Sequence, residues 1–180
     1  MFVVLLFVSA SMVTVPTASM GGERIVAFYG AHASLIVLQQ VVGLLALAAF
    51  IAFGASLPRN RWLLPALCAV AVIELVTNAV PVLILWVGSS PDTALTLTRV
   101  EDDADAVFSI ALAGFVAAAT LGQPIWLRIA AYIVALVNVA RGVAEPFGVT
   151  ALDTIAPLLF VAFVLVFSVK LLVRPHISAR

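Results

Sequence analysis

Apolar residues in this chain form long runs that are separated by short polar breaks. A helix needs about 20 mainly apolar residues to cross roughly 30 Å of hydrocarbon. Six segments approach this length, so the pattern predicts an all-α fold, an integral membrane bundle of six transmembrane helices in a single domain over residues 1–180. The predicted spans cover about residues 1–17, 34–57, 63–87, 105–121, 125–143 and 151–173.

The breaks between the predicted spans are of two kinds. PRNRW, LGQP and EPFGVT contain Pro or Gly and are typical of turns, whereas residues 16–33 and 88–104 are expected to form longer connections. The first apolar segment has a second interpretation, as a cleaved signal peptide. It lacks a Lys/Arg-rich start and a good cleavage signal, so we expect it to be retained as a helix.

Composition places the whole chain in a membrane. Hydrophobic residues make up 64% of it, charged residues 10%, and the mean hydropathy is +1.24, whereas a soluble domain has about 25% charged residues. We therefore expect a multi-pass protein of the cell membrane. The net charge of zero gives no indication of a nucleic-acid partner. Cys68 is the single cysteine, which excludes an internal disulfide and a Cys-rich metal site; no metal and no cofactor are expected.

Charged residues are distributed unequally between the two sides of the predicted bundle. One side, the basic end, has no acid and holds Arg59, Arg61, Arg128, Lys170, Arg174 and Arg180. The opposite side, the acidic end, holds Arg24, Arg99 and Arg141 with Glu23, Asp92, Glu101, Asp102, Asp103, Asp105, Glu145 and Asp153. The positive-inside rule makes the basic end cytoplasmic, which places both termini in the cytoplasm.

Glu74 stands out because it lies in the apolar run CAVAVIELVTNAVPVLILW. A charge at the centre of a bilayer costs about 2.5–3.5 kcal/mol on insertion scales. Glu74 must therefore face the bundle interior, find a hydrogen-bond donor, or remain protonated. Asn78 follows on the same helical face. The pattern predicts that Glu74 forms the floor of a pocket open to the acidic end, although a structural carboxyl group bonded to Gln39, Gln40 or Asn138 is the alternative.

Further polar residues fall in the acidic half of the predicted spans, and the spacing of Asn138, Arg141 and Glu145 places these three on one stripe of the fifth span. Catalysis by acid and base requires a proton donor and a proton acceptor in a dry cavity. The candidate catalytic residues are Glu74, Asp105 and His32. The candidate substrate-binding residues are Gln39, Asn78, Asn138, Arg141 and Glu145.

Several of these positions also have a purely structural interpretation. Thr98-x-x-Glu101 and Thr150-x-x-Asp153 resemble capping boxes, which would place Glu101, Asp102, Asp103 and Asp153 at helix starts or in solvated loops. Arg141 and Glu145 are spaced as an ordinary i, i+4 ion pair. His32 is typical of an interfacial loop, and Gln39 and Gln40 of contacts between helices. The small residues Ser109, Ala113 and Ala117 indicate close helix packing.

Three apolar segments at the second, fifth and sixth spans are VAFYGAHASLIVLQQVVGLLALAAFIAFGASL, IWLRIAAYIVALVNV and FVAFVLVFSVKLLVRP. In these segments the chain resembles a broad group of small six-span bacterial integral membrane proteins. It is a likeness of composition and spacing that covers most of the chain, and it implies six helices without implying an activity. Zinc-protease, P-loop, nucleophile-elbow and CxxC motifs are absent from the sequence.

Three functions agree with this pattern. The first is an enzyme that isomerises or cyclises a lipid-like or terpenoid substrate by acid–base chemistry, with Glu74 as donor and Asp105 or His32 as its partner. The second is a non-catalytic ligand-binding protein or an accessory subunit of a membrane complex, and the third is a small proton-linked transporter. The predicted partners are membrane lipid and an apolar small molecule, with a homo- or hetero-oligomer left open.

Overall fold

A computed structural model describes residues 1–173, and Arg174 and Arg180 of the predicted basic end lie outside this range. The described residues form α-helices and short turns without a strand. The helices are α1 (Phe2–Met12), α2 (Gly22–Ser56), α3 (Leu63–Val87), α4 (Pro91–Ala119), α5 (Ile125–Ala144) and α6 (Ile155–Leu172). Single 3-10 turns precede α2 at Ala18–Met20 and follow α5 at Glu145–Phe147. The all-α fold class is thus confirmed.

Four helices, α2, α3, α5 with its 3-10 turn, and α6, are long and apolar enough to cross a membrane. The other two differ for separate reasons. Helix α1 has 11 residues, a length of about 16 Å, or half of the hydrocarbon thickness. Helix α4 has 29 residues, but its first half carries the charged residues Arg99, Glu101, Asp102, Asp103 and Asp105.

The second and fourth helices begin well before the predicted spans. Helix α2 starts at Gly22 and α4 at Pro91, so most of the residues expected in long connections are helical. In α4 the start is fixed by Ser90, whose side chain accepts a hydrogen bond from the Thr93 backbone, and by a proline at the first position. In α2 the one irregular residue is His32, with φ −120° and ψ 17°, so His32 marks a kink inside a helix and not a loop.

Neither predicted capping box is formed. Thr98 is buried inside α4, and the acids that follow it are therefore within a helix. Helix α6 begins after Thr154 without a side-chain cap. The Thr150 carbonyl accepts a hydrogen bond from the backbone of Asp153, while the Asp153 carboxylate accepts one from Arg141. The capping interpretation of Thr98–Glu101 and Thr150–Asp153 is wrong, because in both cases the helix starts elsewhere.

Aromatic side chains fill the centre of the bundle. Phe50 of α2 lies 4.7 Å from Phe115 of α4 and 6.2 Å from Phe160 of α6, measured between ring centroids. Phe2 of α1 reaches the same cluster, 5.2 Å from Phe50. A smaller core joins α2, α3 and α4 near the acidic end and comprises Ile25, Tyr29, Ile36, Val80, Ile84 and Ala94.

Large apolar side chains also cover the outside of the bundle. Leu64, Val72, Ile125 and Leu136 are among many that are more than half exposed. Soluble monomers rarely expose continuous apolar surface of this extent. The outer surface therefore has the character expected of helices that face lipid.

Candidate functional site

A cavity of about 280 Å³ lies inside the bundle, and residues from all six helices line it. Its apolar wall includes Phe50, Val70, Phe108, Leu112 and Phe160. This volume is close to the lower end of the range for small-molecule sites, which are typically apolar with a few placed polar groups. The cavity is therefore suited to a compact, mainly apolar molecule.

The polar residues of the cavity wall are Glu74, Asp105, Asn138 and Arg141. On α3 and α4 they lie nearer the acidic end than the apolar lining residues of the same helix, as chain order shows for Glu74 against Val70 and Asp105 against Leu112, and α5 contributes only Asn138 and Arg141. The cavity consequently has a polar end and an apolar end. A bound molecule with one polar group would be oriented by this difference.

Arg141 is the centre of the polar end. Its guanidinium donates to the carboxylates of Asp105 and Asp153, the latter at 3.2 Å, and to the Ser109 hydroxyl at 2.6 Å. The Oε2 atom of Glu145 lies 3.6 Å from Nη2 of Arg141 and is an additional ion partner. The Arg141 side chain is 13% exposed, while the side chains of Asp105 and Asp153 are each 38% exposed. One cation is thus shared by three carboxyl groups from α4, the end of α5 and the segment before α6.

A close approach of α4 and α5 positions this group. A Cβ atom added at Gly142 would collide with the carbonyl oxygen of Ala106. Glycine is therefore required at this position, one residue after Arg141 and opposite the residue that follows Asp105. The approach of the two backbones brings Arg141 and Asp105 into direct contact.

Glu74 has a separate polar partner. The Asn78 amide donates to the Glu74 carboxyl oxygen Oε1 at 3.0 Å and to its backbone carbonyl at 2.8 Å. Asn78 can approach α2 closely because residue 43 is a glycine. A Cβ atom at this position would collide with the Oδ1 atom of Asn78. The predicted pairing of Glu74 with Asn78 on one face is confirmed, and Glu74 lines the cavity beside the Arg141 group.

Helix α1 closes one side of the cavity. Phe2, Leu6, Phe7 and Ala10 face into it, although no α1 residue is fully buried. Gln39 of α2 holds this helix: its amide donates to the carbonyls of Ser9 and Val13 at 3.1 and 3.0 Å. Gln39 therefore joins two helices, as its structural interpretation predicted, and does not reach the cavity lining.

The remaining predicted site residues divide between the cavity and other places. Asp105, Asn138 and Arg141 line it, and Glu145 contacts Arg141 from outside the lining. His32 is not among the described residues that line the cavity. Its ring stacks on Phe28 with centroids 4.4 Å apart, and Nδ1 lies 2.9 Å from the Phe28 carbonyl.

Acids of α4 that precede the predicted fourth span form a second polar region. Burial, followed by repulsion from Asp102 and Asp105, raises the pKa of Glu101 to about 8. Tyr29 donates to Glu101 at 3.5 Å. Asp102 accepts a hydrogen bond from the Ala18 backbone at 3.0 Å, and burial raises its pKa as well. These groups connect α4 to the start of α2 and lie outside the cavity lining.

The sequence pattern indicated packing for Ser109 and a cap for Asp153, so these two of the four partners of Arg141 were not predicted as site residues. A usable signal existed for Ser109, which follows Asp105 by four residues on the same face of α4. For Asp153 the signal was weaker: a buried arginine requires compensation, but nothing in the sequence specified which acid provides it.

Comparison with known proteins provides no relative. No protein-family model, no curated protein and no solved structure matches this chain. The geometry described above is therefore the basis for any functional assignment.

Proposed function

We propose that the chain is an integral protein of the cell membrane that crosses it six times, with both termini in the cytoplasm. The apolar exterior supports this placement, as do the four long apolar helices. The charge asymmetry between the basic and acidic ends supports the orientation. In this arrangement α4 crosses with its second half, from about Asp105, and the first crossing is made by α1 together with residues 13–17, which follow it outside a helix.

Within this bundle the cavity binds a compact lipid-like or terpenoid molecule. The observation that carries the proposal is the cavity itself, apolar over most of its wall and polar at one end, with Glu74, Asp105, Asn138 and Arg141 close together there. Asn138 and Arg141 would orient the polar group of the ligand. Its hydrocarbon part would contact the phenylalanine cluster.

The reaction that fits this cavity is isomerisation or cyclisation by proton transfer. Glu74, as a carboxylic acid, gives its proton to a carbon–carbon double bond, which leaves a carbocation on the substrate and a carboxylate on the protein. In isomerisation the Asp105 carboxylate removes a proton from a neighbouring carbon, so that a double bond forms at a new position and the positive charge disappears. In cyclisation a second double bond of the substrate first attacks the carbocation, which closes a ring and moves the positive charge to another carbon, and Asp105 then removes a proton beside that carbon. Proton exchange with water then restores both groups. His32, at the kink of α2, has no part in this scheme.

A non-catalytic binding protein or accessory subunit is the second candidate. It is favoured by the ion pairs of Asp105 with Arg141, because a carboxylate engaged by a guanidinium is a poorer proton acceptor. In that case the same polar end would orient a ligand without reacting with it.

The orientation is tested with single cysteines in a Cys68→Ser background. Arg59→Cys and Thr96→Cys lie at opposite ends and are both exposed. Arg59 is a better position than the neighbouring Asn60, whose side chain bonds the Ala118 carbonyl and the backbone before α3. An impermeant maleimide added to intact cells should label only Thr96→Cys. Labelling at Arg59→Cys instead would reverse the orientation.

Proton transfer is tested by deuterium exchange. The protein in nanodiscs is incubated in D₂O with acyclic prenyl alcohols of increasing length, which are then analysed by mass spectrometry. A general acid should introduce carbon-bound deuterium, and Glu74→Gln should reduce its rate by about 10²-fold or more while the protein remains folded. Asp105→Asn should also lower the rate.

The matched control is Asp103→Asn on the exposed side of α4, which should exchange like the parent. Retained binding of a prenyl alcohol without deuterium in the parent protein would favour the binding candidate. Exchange that survives Glu74→Gln would contradict the acid–base scheme.

A further inference from the structure

A second concave site lies at the opposite end of the bundle from the polar end of the cavity. It is a groove of about 340 Å³ between α3 and α5, with α4 as its floor. The floor consists of Gly114, Ala117 and Ala118 of α4 and of Leu121, which follows that helix. A Cβ atom added at Gly114 would meet nothing within 4 Å, so the groove is open along this line of small residues.

Two arginine–aromatic pairs stand at the rim of the groove. Trp62 and Tyr132 form part of its lining. The guanidinium of Arg61 lies 5.0 Å from the ring centroid of Trp62, and that of Arg128 lies 5.9 Å from the ring centroid of Tyr132. Asn60 fixes the position of the first pair, because its amide donates to the Ala118 carbonyl at 2.9 Å. Two cations are therefore held beside one apolar groove.

The positive charge at this rim has no acid near it in the sequence. Residues 54–73, 106–144 and 154–180, which include all the residues of the groove, contain neither Asp nor Glu. Arg128 also has an unmet donor: its Nε atom is buried and has no hydrogen-bond partner among the described residues. The rim thus combines two cations with a buried N–H donor, that of Arg128, which lacks an acceptor among the described residues.

From these observations we propose that the groove binds an anionic phospholipid. One acyl chain lies along Gly114, Ala117 and Ala118, and the phosphate is held between Arg61 and Arg128. Small residues let a flexible chain approach the α4 backbone closely, and basic residues at the membrane surface select anionic headgroups. The occupant is specified by charge complementarity, since an apolar groove alone would accept any lipid. This site is independent of the cavity and of the function proposed for it.

The test uses Trp62 as a reporter in a Trp86→Phe, Trp126→Phe background. The protein is placed in nanodiscs of unbrominated phosphatidylcholine. Increasing fractions of a lipid with brominated acyl chains, which quench tryptophan fluorescence, are then included. The brominated lipid is phosphatidylglycerol in one series and phosphatidylcholine in the other. Phosphatidylglycerol should half-saturate the quenching at a fraction about tenfold lower, because two arginines favour its headgroup. The preference should weaken at high salt.

Three variants separate the groove from the rim. Gly114→Leu places a side chain in the groove from a position where a Cβ atom meets nothing within 4 Å, and it removes a helix-interior glycine; it should fold and lose the high-affinity quenching. Arg128→Gln should keep quenching by both lipids but lose the preference for phosphatidylglycerol. Arg59→Gln, an equal loss of charge at an exposed residue that is not one of the two arginines stacked on the rim aromatics, should behave like the parent.

Equal half-saturation by the two lipids in the parent would overturn the proposal. A preference that persists in Gly114→Leu would do the same, since the lipid would then be held elsewhere. A dimer that dissociates in Gly114→Leu would assign the groove to a second copy of the chain and would also contradict it. None of these results depends on the chemistry of Glu74.

Discussion

Helix α5 carries two arginines in opposite surroundings. Arg141, near its acidic end, is largely buried and contacts the carboxyl groups of Asp105, Glu145 and Asp153. Arg128, near its basic end, stacks on Tyr132 and donates to its hydroxyl at 3.2 Å. The two residues share a helix and a charge, but only the first is compensated by acids.

The difference between the two arginines follows from the depth at which each guanidinium lies in the bundle. A buried guanidinium in an apolar bundle is tolerated when carboxylates and hydroxyls satisfy it. At a membrane interface the same group can extend toward water or a lipid headgroup and needs no acid. Arg141 is therefore held by an internally bonded group of acids, whereas Arg128 stacks on an aromatic ring and has no acid partner among the described residues.

The largest effect on the free energy of unfolding is expected from removing Arg141, and removing Arg128 provides the comparison. Arg141→Gln leaves three carboxyl groups close together without a cation, and should lower the free energy of unfolding by about 3 kcal/mol. Arg128→Gln should change it by about 0.5 kcal/mol or less. Denaturation of both variants in the same detergent provides the comparison.

A second substitution distinguishes loss of charge balance from loss of packing. Asp105→Asn in the Arg141→Gln background removes one of the repelling acids, and should recover part of the lost stability. If the double variant is no more stable than Arg141→Gln, repulsion by the Asp105 carboxylate does not cause the loss, and the lost packing and hydrogen bonds of the guanidinium are the main contribution. If Arg128→Gln proves as damaging as Arg141→Gln, the contrast between the two ends is wrong.

An intermediate effect on the free energy of unfolding is expected from a change in pH. The pKa of Glu101 is about 8 in the folded protein and 4.5 ordinarily. Between these values the folded chain retains a proton that the unfolded chain has released, so the free energy of unfolding should fall as pH rises from about 4.5 to 8 and then level off. Asp102, Asp105 and Tyr29 are the titratable groups that act on Glu101 in the folded protein.

Glu101→Gln is the matched variant for this effect. It keeps an acceptor for Tyr29 and cannot ionise, so its denaturation profile should vary less between pH 5 and 9 than that of the parent. The same titration of Arg128→Gln should retain the slope of the parent, because the basic end has no acid. A slope unchanged by Glu101→Gln would assign the pH dependence to other carboxyl groups.

The smallest effect concerns the start of α4 at the acidic end. Ser90→Ala removes an exposed cap that accepts from the Thr93 backbone at 3.2 Å, and should cost about 1 kcal/mol. Ser90→Asp should retain most of the stability, since aspartate is an equivalent cap. Thermal denaturation of the two variants is the measurement. A loss with Ser90→Asp as large as with Ser90→Ala would show that the hydroxyl's contact with Thr93 Oγ1 matters more than the cap.

The contrast between the ends also explains what the sequence predicted well. Apolar runs and turn residues located all six helices, and i, i+4 spacing placed Asn78 beside Glu74. Helix starts were less predictable: α2 and α4 begin well before the apolar runs, at Gly22 and Pro91, and only the start of α4 has a side-chain cap. The partners of Arg141 depend on contacts between α4, α5 and the segment before α6, which local spacing does not encode.

The sharing of Arg141 among three segments has a consequence for how the protein is made. As the chain emerges from the ribosome, Asp105 is synthesised before Arg141, and Asp153 after it. An isolated α5 would take an uncompensated guanidinium into the bilayer, which costs free energy at any depth in the hydrocarbon, and α4 alone would take in Asp105. We therefore expect α4 to wait beside the insertion machinery until α5 arrives, so that the two enter lipid as a neutral pair and the Asp153 segment then joins them. Nascent chains that end after α4 should remain crosslinked to that machinery, whereas chains that extend beyond Asp153 should be released.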